Sequence, residues 1–163
     1  MSQVMGILGA GQLASMLAKS AVGRGIDVAI YSSSIHGPAC SLASNVMLGE
    51  PDDFVSLSKF FKFCDFIVLE SEFFKAETLE RLVDNTGTKV YPEVIPYKKL
   101  STKISQKEFF KNCDIPMAQT NLIKSMGDIL KLKLPLMLKQ SSGGYDGYGN
   151  LLITEVDLSL IHI

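Results

Sequence analysis

Val4-Met-Gly-Ile-Leu-Gly-Ala-Gly-Gln-Leu-Ala14 decides the architecture. Val4 to Leu8 is a short apolar run that stops at Gly9, and Leu13, Met16, Leu17 and Val22 then recur at helical spacing, so the order is strand, glycine turn, helix. The pattern Gly9-x-Gly11-x-x-Ala14 matches the tight turn of nucleotide-binding α/β folds, where backbone N–H groups at the helix start hold an anion. A dinucleotide site of this kind places an acid about 20 residues on, at the end of the second strand, to bind the ribose. Here that strand, Ile26 to Tyr31, runs into Ser32-Ser-Ser34, with neither an acid nor an arginine for a 2′-phosphate. A nicotinamide enzyme is therefore disfavoured. The turn alone is read either as a phosphate contact or as a strand-to-helix turn without a ligand.

Outward from this unit the same alternation repeats. Pro38 to Ala43 reads as a short helix and Asn45 to Leu48 as a strand, after which Pro51-Asp-Asp53 opens a helix with the apolar stripe Leu57, Phe60, Phe61 and Cys64. Asp65 to Leu69 is the next strand, ending in Glu70-Ser-Glu72. Carboxylates at the carboxyl end of a parallel strand lie where open α/β sheets bind ligands, and Glu70 and Glu72 share one face if the strand continues. Spacing alone favours a solvated pair that begins a loop. Ala76 to Asp84 reads as a helix stopped near Asn85-Thr-Gly87, and Lys89 to Tyr91 as a strand stopped by Pro92. Four or five strands alternating with helices within about 90 residues predict a doubly wound, Rossmann-like parallel sheet.

After Pro96 the pattern changes. Tyr97 to Asn112 is rich in lysine, with Leu100, Ile104, Phe109 and Phe110 apolar, which predicts one or two helices leaving the sheet and a domain boundary between residues 96 and 97. Lys98, Lys99, Lys103, Lys107 and Lys111 read as a mostly solvated face. Ala118 to Ile123 is expected as a strand, Ser125 to Leu132 as a short helix, and Leu134 to Lys139 and Leu151 to Thr154 as strands. Between the last two lies Gln140-Ser-Ser-Gly-Gly-Tyr-Asp-Gly-Tyr-Gly-Asn150. A buried-looking strand that delivers Lys139 and opens into a glycine-rich loop is suited to cradle phosphates with backbone N–H groups and an ammonium. The bland alternative is a surface hairpin whose glycines only meet turn geometry. Together these segments predict the start of a small α+β unit, incomplete at residue 163.

Sixteen basic and seventeen acidic residues give a net charge of -1, so no general field recruits nucleic acid or an anionic membrane, and phosphate recognition must be local. Cys40, Cys64 and Cys113 are odd in number and widely spaced, which argues against a disulfide framework or a zinc site. No run of about eighteen or more apolar residues occurs, and the N-terminus reads as a strand, not a targeting segment. The cytoplasm is the expected compartment.

Gly6-Ile-Leu-Gly-Ala-Gly-Gln-Leu13, Glu70-Ser-Glu72, Lys103-x-x-x-Lys107-x-Phe109, Ile115-Pro116, and Leu138-Lys139 followed by Gly143-Gly-Tyr-Asp-Gly-Tyr-Gly149 resemble the N-terminal part of the 5-(carboxyamino)imidazole ribonucleotide synthases, an ATP-grasp family of purine biosynthesis. The resemblance spans residues 3 to 155. It implies a pre-ATP-grasp substrate domain over residues 1–96 and a partial ATP-grasp domain over 97–157. The implied activity is the ATP-dependent carboxylation of aminoimidazole ribonucleotide with bicarbonate by way of carboxyphosphate. Lys103 and Lys139 fall where the family contacts ATP, and Gly144, Tyr145, Asp146, Gly147, Tyr148, Gly149 and Asn150 match its phosphate-covering loop. Tyr145 and Asp146 also match the pair near the imidazole and are the implied catalytic residues. Gly11, Gln12, Leu13, Glu70 and Glu72 would face the ribonucleotide. The chain departs from the family where Glu70-Ser-Glu72 replaces Glu-Phe-Glu, Tyr148 stands for Arg or Lys, Asn150 for Gln, and Lys103 for Arg, which loses bidentate geometry but keeps the charge.

The acidic Mg2+ ligands of the family are expected beyond the end of this chain, so the resemblance implies no metal ligand here, an inactive fragment, and a homodimer only at full length. Leu158-Ser-Leu-Ile-His-Ile163 is identical to a translated sequencing adapter and is expected to be non-native. Two other readings stand beside this one: another ATP-grasp ligase, such as the formate-dependent glycinamide ribonucleotide transformylase, or a non-catalytic Rossmann-like module that senses a nucleotide.

Overall fold

Alternate residues of β1 (Val4–Leu8) enter two cores on opposite faces of one sheet. Met5 and Ile7 pack with Val28 and Ile30 of β2 (Asp27–Ser32) and with Ala14, Ala18 and Ala21 of α1 (Gln12–Val22). On the other face Leu8, Ala29 and Tyr31 meet Leu57, Phe60 and Phe61 of α2 (Phe54–Phe63) and Leu79 and Leu82 of α3 (Ala76–Thr86). A strand apolar on both faces needs cover on both, which is the situation of a parallel sheet between helix layers. β3 (Asn45–Leu48), β4 (Phe66–Leu69) and β5 (Lys89–Tyr91) complete five strands in the order β3-β2-β1-β4-β5, all neighbours parallel. The expected Rossmann-like sheet is present, and its order reverses between β1 and β4. Open α/β sheets bind ligands beyond the carboxyl ends of the strands at such a switch point.

Local chemistry sets the element ends. Asp53 Oδ1 accepts the N–H groups of Val55 and Ser56, both at 3.1 Å, and so caps α2. Gly87, at φ 70°, closes α3 in the left-handed conformation that favours glycine. Gly6 is required for packing: a Cβ there would lie 2.6 Å from Ile67 Cδ1, 2.7 Å from Cys64 Sγ and 2.9 Å from Phe60 Cε1.

The computed structural model describes residues 2–142 and 148–155; the tail expected over 158–163 lies outside them. It divides into two compact units, Met1–Lys98 and Lys99–Ile163. The helix expected after Pro96 instead begins at Val94, as α4 (Val94–Leu100). Pro96 falls in its first turn, where a missing N–H removes no intrahelical bond. In the second unit α5 (Lys103–Asn112) and α6 (Met126–Ile129) precede an antiparallel pair, β6 (Leu136–Lys139) and β7 (Asn150–Ile153). The strand expected over 118–123 does not form; residues 115–124 carry no regular structure. β6 is half-buried at Leu136 and Leu138 but exposed at Met137 and Lys139, so it is not the buried strand expected. Among the described residues no helix is long and apolar enough to cross a membrane.

Cys40 and Cys64 are buried and Cys113 is exposed; burial, with the nearby Asp65 charge, pushes the Cys64 thiol up to about 12. A thiol-reactive dye at neutral pH should therefore modify Cys113 rapidly in the native chain and the other two only after denaturation. Rapid reaction of all three would show that the two sheet faces are not packed as described. Gly6→Ala should cost about 1–3 kcal/mol in urea denaturation, the usual range for overpacking a core.

Candidate functional site

The β1–β4 pairing places two loop starts together. Leu8 stands opposite Leu69 in the parallel register, and its carbonyl accepts the N–H groups of Glu70 at 3.2 Å and Ser71 at 3.1 Å. Gly9, at φ 122°, turns the chain away from β1 while its N–H donates to Tyr31 O at 3.0 Å. A Cβ at Gly9 would run into Glu70 Oε2, and one at Gly11 would lie 3.0 Å from Glu70 Oε1. The Glu70 carboxylate thus lies against the glycine turn, near enough to the Ala14 and Gly11 N–H groups for both to favour its charged form. N–H groups at a helix start are the donors that such a turn offers to a bound anion. Here a carboxylate of the same chain faces them.

Burial lifts the Glu70 carboxyl above the usual carboxylate range. The Ala14 N–H pulls it back, the Glu72 charge adds to the rise, and the Gly11 N–H again opposes it. Glu72 itself is exposed. β4 ends at Leu69, so Glu70 and Glu72 do not share a strand face as they would have on a continuing strand. Gly11 is the N-cap of α1, and Gln12 and Leu13 are its first two residues, all exposed. The structure therefore brings Gly11, Gln12, Leu13 and Glu70 to one place, with Glu72 on the same short loop.

Two contributors escaped sequence reasoning. The segment after β2 folds back over the turn: Ala39 N–H donates to Ala10 O at 3.2 Å, and Gly37 abuts the Ala10 methyl. The Gly37-Pro38 pair was the available signal. From α4, Tyr97 Oη donates to Phe74 O at 2.7 Å and fastens the far end of the Glu70–Phe74 loop; nothing in its spacing marks it.

In the second unit Lys139 is the exposed last residue of β6, opposite Asn150. Gln140 N–H donates to Gly149 O at 2.8 Å, and Gly149, at φ 75°, adopts a conformation that favours glycine. Lys103, half-buried, is the first residue of α5, and its N–H donates to Ser141 O at 2.9 Å. The Thr102–Ser105 capping box fixes that helix start. Lys103 and Lys139 are therefore attached to one corner of the hairpin although 36 positions apart in sequence. Tyr148 is exposed. Gly144, Tyr145, Asp146 and Gly147 lie outside the described residues. Among the described residues no three His, Cys, Asp or Glu side chains gather where they could hold a metal ion.

Residues 1–98 match the family model of the ribonucleotide synthetase preATP-grasp domain, and the chain belongs to that family. It is 29% identical over 158 residues to the N5-carboxyaminoimidazole ribonucleotide synthase of Synechococcus elongatus, covering 94% of this chain and 40% of that protein. It is 31% identical to the enzyme of the same name from Staphylococcus aureus, covering 94% and 42%. Among solved structures, N5-carboxyaminoimidazole synthetase from Staphylococcus aureus complexed with ADP superposes with a TM-score of 0.87 at 28% identity, covering 96% of this chain and 43% of that one. The synthase from Aspergillus clavatus, in complex with ADP and 5-aminoimidazole ribonucleotide, does so with a TM-score of 0.80 at 26% identity, covering 94% and 41%. The chain thus spans about 40% of the length of the synthases it matches.

The raised Glu70 pKa makes a signed prediction. Stability that depends on a protonated Glu70 is full below the unfolded carboxyl pKa and is lost as pH rises through the raised folded value. Wild type should therefore gain stability relative to Glu70→Gln as pH is lowered from neutral into the carboxylate range, measured by urea denaturation of both chains. The opposite slope would mean that the two N–H donors outweigh burial.

Proposed function

We propose that this chain is the N-terminal part of an ATP-dependent carboxylase of the ligase class, which joins bicarbonate to aminoimidazole ribonucleotide by way of carboxyphosphate in purine biosynthesis. Residues 1–96 serve as the pre-ATP-grasp substrate domain and 97–157 as part of the ATP-grasp domain, with 158–163 a non-native tail. The enzyme acts in the cytoplasm, as a homodimer at full length. One observation carries the reading: the Glu70 carboxylate is held at the β1–β4 switch point beside Gly11, Gln12 and Leu13, and the whole arrangement belongs to a family of ribonucleotide synthetase domains. The Aspergillus clavatus structure, with its two bound nucleotides, supports the choice of substrate.

Each part of the chain has a distinct task in this reading. Gly11, Gln12 and Leu13 present backbone and amide groups to the ribonucleotide at the start of α1, while Glu70 accepts hydrogen bonds from it and Glu72 sets the local charge. Lys103 and Lys139 neutralise ATP phosphate oxygens. Phosphoryl transfer depends chiefly on positioning and on countering that spread negative charge, so two lysines whose backbones meet at one hairpin corner suit the task. Gly144, Gly147, Tyr148, Gly149 and Asn150 belong to the loop that covers the phosphates and shields carboxyphosphate from water. Tyr145 and Asp146 are assigned to the imidazole side of the reaction. Mg2+ is the expected companion of ATP in this reading; among the described residues no three His, Cys, Asp or Glu side chains gather to hold it.

Calorimetry on this chain should detect aminoimidazole ribonucleotide and ATP and give no heat with NAD. NAD binding without ribonucleotide binding would sink the proposal in favour of a dinucleotide module. Lys139→Ala should weaken ATP about tenfold or more, the scale of one charge-assisted hydrogen bond, and leave ribonucleotide affinity unchanged. An unaltered ATP affinity would remove Lys139 from the site.

A further inference from the structure

The Gly9–Ala14 turn has the sequence pattern of a phosphate-binding turn, yet a carboxylate from the neighbouring strand end lies against it. We propose that Glu70 is a specificity-determining residue that bars phosphate from this turn, so that a nucleotide cannot enter with its phosphate or pyrophosphate against the start of α1. This goes beyond the carboxylase reading, because it concerns which chemical group the turn rejects and holds whichever ribonucleotide is bound.

Three observations converge on it. The Gly11 and Ala14 N–H groups, which would have to donate to a phosphate, face the Glu70 carboxylate and favour its charged form. The space is also taken: Glu70 Oε2 overlaps the place of a Cβ on Gly9, and Oε1 lies 3.0 Å from that of a Cβ on Gly11, so the carboxylate crowds the close backbone approach that glycines otherwise open to a pyrophosphate. The side chain does not depend on its own hydrogen bonds for this placement. Its backbone is tied to β1 through the Leu8 carbonyl, which accepts from both Glu70 and Ser71, and the loop's far end is tied by Tyr97 to Phe74 O. Charge acts in the same direction, since Glu70 and Glu72 present negative charge to any arriving anion. A ligand that approaches here must instead donate hydrogen bonds to the remaining lone pairs of Glu70. The serines that end β2, where a dinucleotide site has its ribose acid, accord with the same exclusion.

The test is a titration of the whole chain with inorganic pyrophosphate, followed through the amide resonances of Gly11 and Ala14. In wild type these resonances should not respond, whereas in Glu70→Ala they should shift saturably, with an apparent affinity about tenfold or more above any wild-type response. Glu70→Gln keeps the side-chain volume and an acceptor for the same N–H groups but removes the charge, so it should fall between the two. It also serves as the deciding variant if Glu70→Ala does not fold. Wild type responding as strongly as the variants would overturn the proposal, and so would variants that gain nothing. Neither result bears on ribonucleotide binding, which is measured separately.

Discussion

The Leu8 carbonyl accepting two consecutive N–H groups, from Glu70 and Ser71, is the contact on which the candidate site depends. Neighbouring parallel strands end side by side, so a residue just past β4 must lie next to the turn just past β1. The carbonyl then fixes how the chain leaves β4, and Glu70 has only the glycine turn in front of it. A side chain on Gly9 would displace that carboxylate, and one on Gly11 would crowd it at 3.0 Å. The site is thus a consequence of register: were β4 moved one residue along β1, the carboxylate would point to the other face of the sheet.

The same economy of space governs α1. Its buried residues are Ala14, Ala18 and Ala21, whereas Leu13, Met16, Leu17 and Val22 are exposed. Small side chains let the helix axis approach the sheet closely, and a close approach keeps the helix start directly beyond β1. A bulkier stripe would lift the first turn and separate the Gly11 and Ala14 donors from Glu70. The opposite face achieves its fit differently, with Phe60 and Tyr31 rings 5.5 Å apart and Gly6 opening room for α2.

Much of this fold was legible because parallel strands are short runs closed by turn residues: β1, β2 and β4 read so from their apolar residues, and β3 and β5, less buried, from the turns around them. The apolar spacing of Leu13, Met16, Leu17 and Val22 found α1, but periodicity does not say which stripe faces the sheet, and the alanines do. The strand expected over 118–123 failed for a reason of its own. Ala118-Gln-Thr-Asn-Leu-Ile123 has its apolar residues side by side at one end, so it offers no alternating face, and a strand without a partner leaves its backbone groups unpaired. At the site, spacing favoured two solvated acids, yet Glu70 is half-buried with its carboxylate against the glycine turn. Only the strand order distinguishes Glu70 from Glu72, and no single-sequence pattern encodes which strands become neighbours.

The two units differ in the charge they carry near their turns. In the first, the Glu70 carboxylate lies against the Gly9–Gly11 turn, so negative charge stands where a helix start otherwise offers only donors. The cationic side chains singled out for phosphate, Lys103 and Lys139, belong to the second unit, where the Lys103 N–H bond to Ser141 O joins the start of α5 to the hairpin. A chain with net charge -1 has no global field to attract a triphosphate. Recognition of a phosphate by such a chain would have to be local, and the hairpin joins Lys103, at a capped helix start, to the same corner as Lys139, at a strand end far away in sequence.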